Sequence, residues 1–186
     1  DTTAPVITCP ANSMAPDGCD GPATVPDLRA QAVASDNCGG VTITQSPAPG
    51  TPFTGSIDVT LTATDACQNS ASCTTRVDQV ARLGNRIWFD LDHNGIQNDG
   101  ETGVPNVTIE LVDNNGQTVG STTTDGDGLH QFCVNPGTYC VRVVASTLPS
   151  GYRITLLNQT TVDLDSSADP LTGLTEKVTL VAGDNN

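Results

Sequence analysis

Apolar and polar residues alternate with a period of two through much of this chain. In GSIDVTLTATD, Ile57, Val59, Leu61 and Ala63 fall on one face, and Asp58, Thr60 and Thr62 on the other. That is the pattern of a half-buried strand. VTITQS and SCTTRV read the same way, and PVITCP is a short apolar strand. Turn clusters such as SDNCGG and SPAPGTP separate them. Further on, Val107, Ile109 and Leu111 alternate in NVTIEL, and DNNGQ supplies a hairpin turn with Asn-Gly at positive φ. TVGSTTTDGDGLHQFCV gives a strand, an Asp/Gly turn and another strand, with His130 expected to face outward. Tyr139, Val141 and Val143 alternate in GTYCVRVVA. No segment shows the apolar stripe of an amphipathic helix, which repeats about every 3.6 residues. The pattern predicts an all-β chain of two tandem immunoglobulin-like β-sandwich domains, residues 1–79 and 80–186, joined by the short DQVAR.

Composition sharpens this. Hydrophobic residues make up 36% of the 186 positions but aromatics only 3%, so the cores rest on Val, Ile, Leu and Ala. The 18 glycines and 12 prolines suit short strands and frequent turns. Lys+Arg number 7 against Asp+Glu 21, a net charge of −14. A nucleic-acid partner is excluded on that balance, because binding needs a basic face to release counterions. Membrane insertion is not expected either, since no apolar run is long enough to span a bilayer. A divalent cation is the natural partner of such a chain. The seven cysteines are scattered rather than paired as in a zinc ribbon, and point to disulfides in an oxidising, extracellular compartment. The chain opens on Asp1 rather than Met, as a mature or excised piece of a secreted precursor would.

The candidate chemistry sits in DLDHNGIQNDGE, residues 90–101. It fits the twelve-residue EF-hand calcium pattern: Asp90, Asp92 and Asn94 at positions 1, 3 and 5, Gly95 at 6, the Ile96 carbonyl at 7 and Glu101 at 12. Alternate residues of a tight loop point inward and converge on one ion, and Glu101 closes the sphere with both oxygens. Asn98 and Asp99 are candidates for water-mediated contacts. Neither flank is helical: NRIWF precedes the loop and TGVPNVTIEL follows it. The expectation is therefore a structural Ca²⁺ between strands, against the alternative of an Asp/Asn/Gly turn that binds nothing. Asp125 and Asp127 in TDGDG form a weaker acidic turn. No Ser-His-Asp order is evident, and His93 lies inside the metal loop, so no enzyme is expected. Trp88 reads as core and Tyr152 as the surface aromatic best placed for a ligand.

Topology narrows the disulfides of the first half. Its five cysteines leave one odd. The DNC and TDAC segments end strands at one pole, which favours Cys38–Cys67; the first and last strands should run side by side, which favours Cys9–Cys73. Cys19 is then unassigned, with Cys9–Cys19 across a local loop as the rival.

APVITCP, ASDNCGG and VTLTATDACQNSASCTTRV, in this order over residues 3–77, resemble the hyalin repeat, an immunoglobulin-like module of extracellular proteins. Gln68 stands where that family usually has Gly. GNRIWFDLDHNGIQNDGETGVPNVTIELVDNNGQTVGSTTTDGDGLHQF, then PGTYCVRV and PSGYRITL, resembles the B-type repeats of serine-aspartate-repeat adhesins over about 83–183. The resemblances imply a non-enzymatic extracellular module, secreted or on a bacterial cell surface. They also imply an Asp-rich calcium loop at Asp163, Asp165 and Asp169, a hairpin that pairs Cys133 with Cys140, and a further strand after VTLVAGDNN. If that strand comes from another chain, copies could assemble head to tail by strand pairing. The expected function is a calcium- and disulfide-stiffened adhesin stalk or filament subunit, with a carbohydrate- or protein-binding adhesive domain as the alternative. The partners would be copies of itself, neighbouring modules, or a host or matrix protein or glycan. Asn106 and Asn158 are N-glycosylation sequons, meaningful only in a glycosylating host.

Overall fold

The computed structural model describes residues 1–37, 39–157 and 164–186. All of its regular structure is β apart from three short 3₁₀ turns; no α-helix occurs among the described residues. The chain divides into two compact units, Asp1–Ala81 with Val181–Asn185, and Arg82–Leu180 with Asn186. Residues 181–185 therefore belong with the first unit. Gly183, at φ 80°, lies against Gly55 and Gln79, and a Cβ on it would stand 2.8 Å from the Gly55 nitrogen.

In the first unit, β1 (Val6–Thr8), β2 (Ser13–Ala15), β3 (Ala23–Thr24), β4 (Val33–Ser35), β5 (Thr42–Ser46), β6 (Pro52–Phe53), β7 (Ser56–Thr64) and β8 (Ser70–Gln79) follow in order. They make a four-stranded sheet β2-β8-β7-β5 and two small pairs, β1-β4 and β3-β6. The alternation of β7 does what its sequence demands. Val59, Leu61 and Ala63 are fully buried, and join Ala15, Ala23, Val25, Leu28, Phe53 and Val77 in the core. Its other face carries a threonine ladder, with Thr62 and Ser72 hydroxyls 2.9 Å apart across the β7–β8 pair. Gln79 is buried but fully engaged. Its amide donates to the carbonyls of Gly18 at 2.6 Å and Gly21 at 2.7 Å, and its oxygen accepts Gly55 N–H at 2.8 Å. Gln68 takes the left-handed conformation, φ 72°. A glycine there would avoid a cost of about 1–2 kcal/mol.

Cys9 and Cys73 are bonded, with Cα atoms 5.7 Å apart and both side chains packed on this core. Cys19, which the sequence leaves unassigned, is also disulfide-bonded, and not to Cys9. The Cys38–Cys67 pairing falls on Cys38, which lies outside the described residues; Cys67 is exposed.

The second unit contains β9 (Ala81–Arg86), β10 (Thr108–Asp113), β11 (Thr118–Thr123), β12 (Leu129–Val134), β13 (Gly137–Val143) and β14 (Val178–Leu180). They form a sheet β11-β10-β13-β14 and a pair β12-β9. The DNNGQ hairpin joins β10 to β11, but only Gly116 has positive φ, at 81°. Asp113 N–H donates to Gln117 O at 2.9 Å and Gly116 N–H to Asp113 O at 3.0 Å, a type I turn closed by a glycine bulge. The hairpin forms as expected, but Asn115 does not take the positive φ expected of it.

Two other expectations fail in β12. β12 and β13 follow each other in sequence but lie in different sheets. VNPGTY therefore carries the chain across the sandwich instead of closing a hairpin. Cys133 points outward from β12 and is disulfide-bonded, whereas Cys140 on β13 faces inward as a free, buried thiol. The Cys133–Cys140 bridge is absent. The same alternation turns His130 inward, in phase with Phe132 and Val134, and not to the surface.

His130 is 9% exposed, and neither ring nitrogen has a hydrogen-bond partner. Burial holds its pKa down to about 4. The unfolded chain then takes up the proton first. Stability is whole above pH 6.5 and falls as pH drops from about 6.5 to about 4, by about 3 kcal/mol in all. Denaturant midpoints measured at pH 7 and 4.5 should show this loss, and His130→Leu should remove that part of it.

Candidate metal centre

The 90–101 loop is closed at its neck by β pairing. Phe89 N–H donates to Thr102 O and Val104 N–H to Ile87 O, each at 2.9 Å, around a Trp88–Gly103 bridge. The chain therefore enters and leaves the loop side by side, as strands, where an EF-hand would have helices. Gly103 has no room for a side chain, because a Cβ would stand 1.9 Å from Asp127 O. Inside the loop His93, Gly95 and Gly100 take positive φ, at 62°, 77° and 93°. These reversals fold twelve residues into a tight turn.

Asp90, Asp92 and Glu101 converge. One carboxylate oxygen of each lies within 4.8 Å of the others. Calcium holds oxygens at about 2.3–2.6 Å, so ligands across one ion stand up to about 5 Å apart, and the spacing fits. The hydrogen bonds leave the right lone pairs open. Asp90 Oδ2 accepts from Gly95 N–H at 2.9 Å and from Thr155, while Oδ1 accepts Asn94 N–H at 3.1 Å. Asp92 Oδ2 accepts both the Asn94 and Asn98 side-chain amides, at 2.8 and 3.0 Å. Its Oδ1 accepts one bond, from Asn94 N–H at 3.2 Å. Glu101 Oε1 and Oε2 accept one backbone N–H each, from Leu91 at 2.8 Å and Asn98 at 2.9 Å. Each carboxylate oxygen has two lone pairs, so Glu101 keeps one on both of its oxygens. Burial pushes the Asp90 carboxyl up, but the donors Thr155, Gly95 and Asn94 outweigh it and hold the group below its ordinary value. This donor set suits a hard cation with oxygen ligands.

The loop's far side is fixed by a distant segment. Gln97 N–H donates to Leu164 O at 2.6 Å and Ser166 N–H to Gly95 O at 2.9 Å, around an Ile96–Asp165 bridge. Those bonds use Gly95 and Gln97, so the carbonyl of Ile96 turns to the loop side. Asn94 Oδ1 accepts Ile96 N–H at 2.6 Å.

The other candidates are placed differently. Asp125 Oδ1 accepts the N–H groups of Asp127 and Leu129, both at 2.9 Å, and ties its own turn. Asp169 does the same for Leu171 and Thr172. Asp165 is buried beside Ile96 but does not join the Asp90 group, and neither do Asp99, Asp125, Asp127 or Asp169. Asp163 and Asn158 lie outside the described residues; Asn106 is exposed in a turn at φ 62°.

A second acidic group, Asp1, Asp36 and Asp65, was not foreseen. Asp65 is buried and accepts the Asn69 side-chain amide at 2.9 Å and the N–H groups of Cys67 and Asn69 at 2.8 Å. Those bonds account for its place in the turn. Also unforeseen was a cavity of about 800 Å³ beside the loop, lined by Trp88, Phe89, Tyr152, Arg153 and Pro170 among others. Trp88 is half-buried and Tyr152 is 56% exposed, its ring edge-on to Phe89 at 4.8 Å.

Residues 1–79 match the HYR domain and residues 81–186 the SdrD B-like domain. Serine-aspartate repeat-containing protein E of Staphylococcus aureus is 37% identical over 93 residues, half of this chain and 8% of that protein. The bone sialoprotein-binding protein of Staphylococcus aureus matches to the same extent. Serine-aspartate repeat-containing protein F of Staphylococcus epidermidis is 37% identical over 97 residues, 51% of this chain and 6% of that protein. The chain thus spans under a tenth of these relatives. Among solved structures, BcpA, the major pilin subunit of Bacillus cereus, aligns over 96% of this chain and 51% of its own at 10% identity and a TM-score of 0.35. With more than half its length in the match, the chain belongs to the SdrD B-like domain family, and a HYR domain precedes that part.

Proposed function

We propose that the chain is a non-enzymatic structural piece of an extracellular bacterial surface protein, an adhesin stalk or filament subunit stiffened by calcium and disulfides. The observation that carries this reading is the gathering of Asp90, Asp92 and Glu101 within 4.8 Å, each with an oxygen lone pair open. Three carboxylates so close repel one another, and a cation turns that repulsion into a clamp on the loop. The staphylococcal relatives support the surface setting, and no helix among the described residues is long and apolar enough to cross a membrane. Copies of the chain or neighbouring modules are the partners this reading favours. Head-to-tail strand pairing would use an open sheet edge such as β11, which carries no charge or proline to block it.

Calorimetric titration of calcium into the chelator-stripped chain tests the reading. One tight site is expected, lost in Glu101→Ala. An absence of binding heat together with unchanged stability in calcium overturns it. Light scattering on the same samples reports self-association.

The cavity favours a second reading, an adhesive domain that takes a glycan or a protein segment against Phe89 and Tyr152. Trp88 fluorescence during glycan titration separates the two.

A further inference from the structure

Thr155 lies 65 positions from Asp90 in sequence, yet its hydroxyl donates to Asp90 Oδ2. That oxygen also accepts Gly95 N–H, so both its lone pairs are engaged, and the open one belongs to Oδ1. The hydroxyl therefore fixes which oxygen of Asp90 faces the loop interior. Thr155 sits in a stretch, 151–157, that has no strand or helix. This stretch meets the loop in one further way: the ring of Tyr152 packs edge-on against Phe89, the residue before Asp90. Tyr152, Ile154 and Thr155 also form part of the cavity wall.

We propose that Thr155 is a positioning residue of the cation loop, and that it makes cation binding and docking of the 151–157 stretch one coupled event. This rests on the calcium reading above. The coupling is reciprocal: whatever the hydroxyl adds to calcium affinity, bound calcium adds to the docking of the stretch. No sequence motif carries the contact, because Thr155 is far outside the loop.

The test compares the whole chain with Thr155→Val and Thr155→Ser. Valine keeps the shape and removes the donor; serine keeps the donor. Calcium titration should show Thr155→Val binding about 10–100-fold more weakly, the loss usual when a partner of a metal ligand is removed. Thr155→Ser should bind close to the original chain. Amide deuterium exchange across 151–157 should slow on adding calcium in the original and serine chains, and not in the valine chain. Equal affinity for all three, or exchange indifferent to calcium, overturns the proposal while leaving the calcium site standing. Weak binding by the serine chain also overturns it, because the hydroxyl is then not what matters. If the original chain takes up no calcium, the calcium reading itself fails, and this inference with it.

Discussion

Adding EDTA to the calcium-loaded chain should lower the melting temperature followed by Trp88 fluorescence by about 15 °C or more. Trp88 is the chain's one tryptophan and stands in the neck of the loop, so it reports on the unit that carries the site. The magnitude follows from linkage. Calcium at 1,000 times its dissociation constant stabilises the folded form by about 4 kcal/mol. In a unit of this size each kcal/mol moves the midpoint by about 4–8 °C. The sign can be checked independently with Glu101→Gln. In calcium this change should destabilise, since it weakens the ligand that closes the sphere. In EDTA the effect should be much smaller, since removing one of three mutually repelling charges offsets the acceptor lost to Asn98 N–H, while an oxygen remains for Leu91 N–H. A loop that binds nothing would show the same effect in both buffers.

Replacing Cys9 and Cys73 by alanine should destabilise the first unit by about 4 kcal/mol, measured as a fall in the denaturant midpoint. The bridge closes a separation of 64 residues, and the chain-entropy description gives about that much for a loop of this length. The double variant is cleaner than a reducing agent, which would also act on the disulfide-bonded Cys19 and Cys133. Both sulfurs pack against the core of Leu61, Val59 and Phe53, so part of the loss comes from packing. A Cys9→Val/Cys73→Val pair restores apolar volume and isolates the part due to the crosslink.

Local grammar made some features legible. The alternation of Ile57, Val59, Leu61 and Ala63 produced β7 with its apolar face inward, because a period of two leaves a strand no other way to bury those residues. The ligand loop was legible because its donors lie within twelve positions of one another. What lay outside such windows was not. VNPGTY has the chemistry of a tight turn whether it closes a hairpin or crosses between sheets, so nothing in it tells against the Cys133–Cys140 hairpin that the resemblance implies. His130 is expected outward, but the phase set by Phe132 and Val134 carries it inward. Thr155 and the 164–166 segment reach the loop through tertiary packing, and nothing near Asp90 in sequence announces them.

The Cys9–Cys73 bond has a mechanical consequence for any chain under tension. An extended residue spans about 3.3–3.6 Å, so the 64-position separation stores about 220 Å of contour length. The covalent bond keeps that length from being paid out even if β7 and β8 peel apart. Pulled from its ends, the first unit gives way like a tether with a short stop, and only a reductant strong enough to open this bond and that of Cys19 converts it into a long, compliant spring.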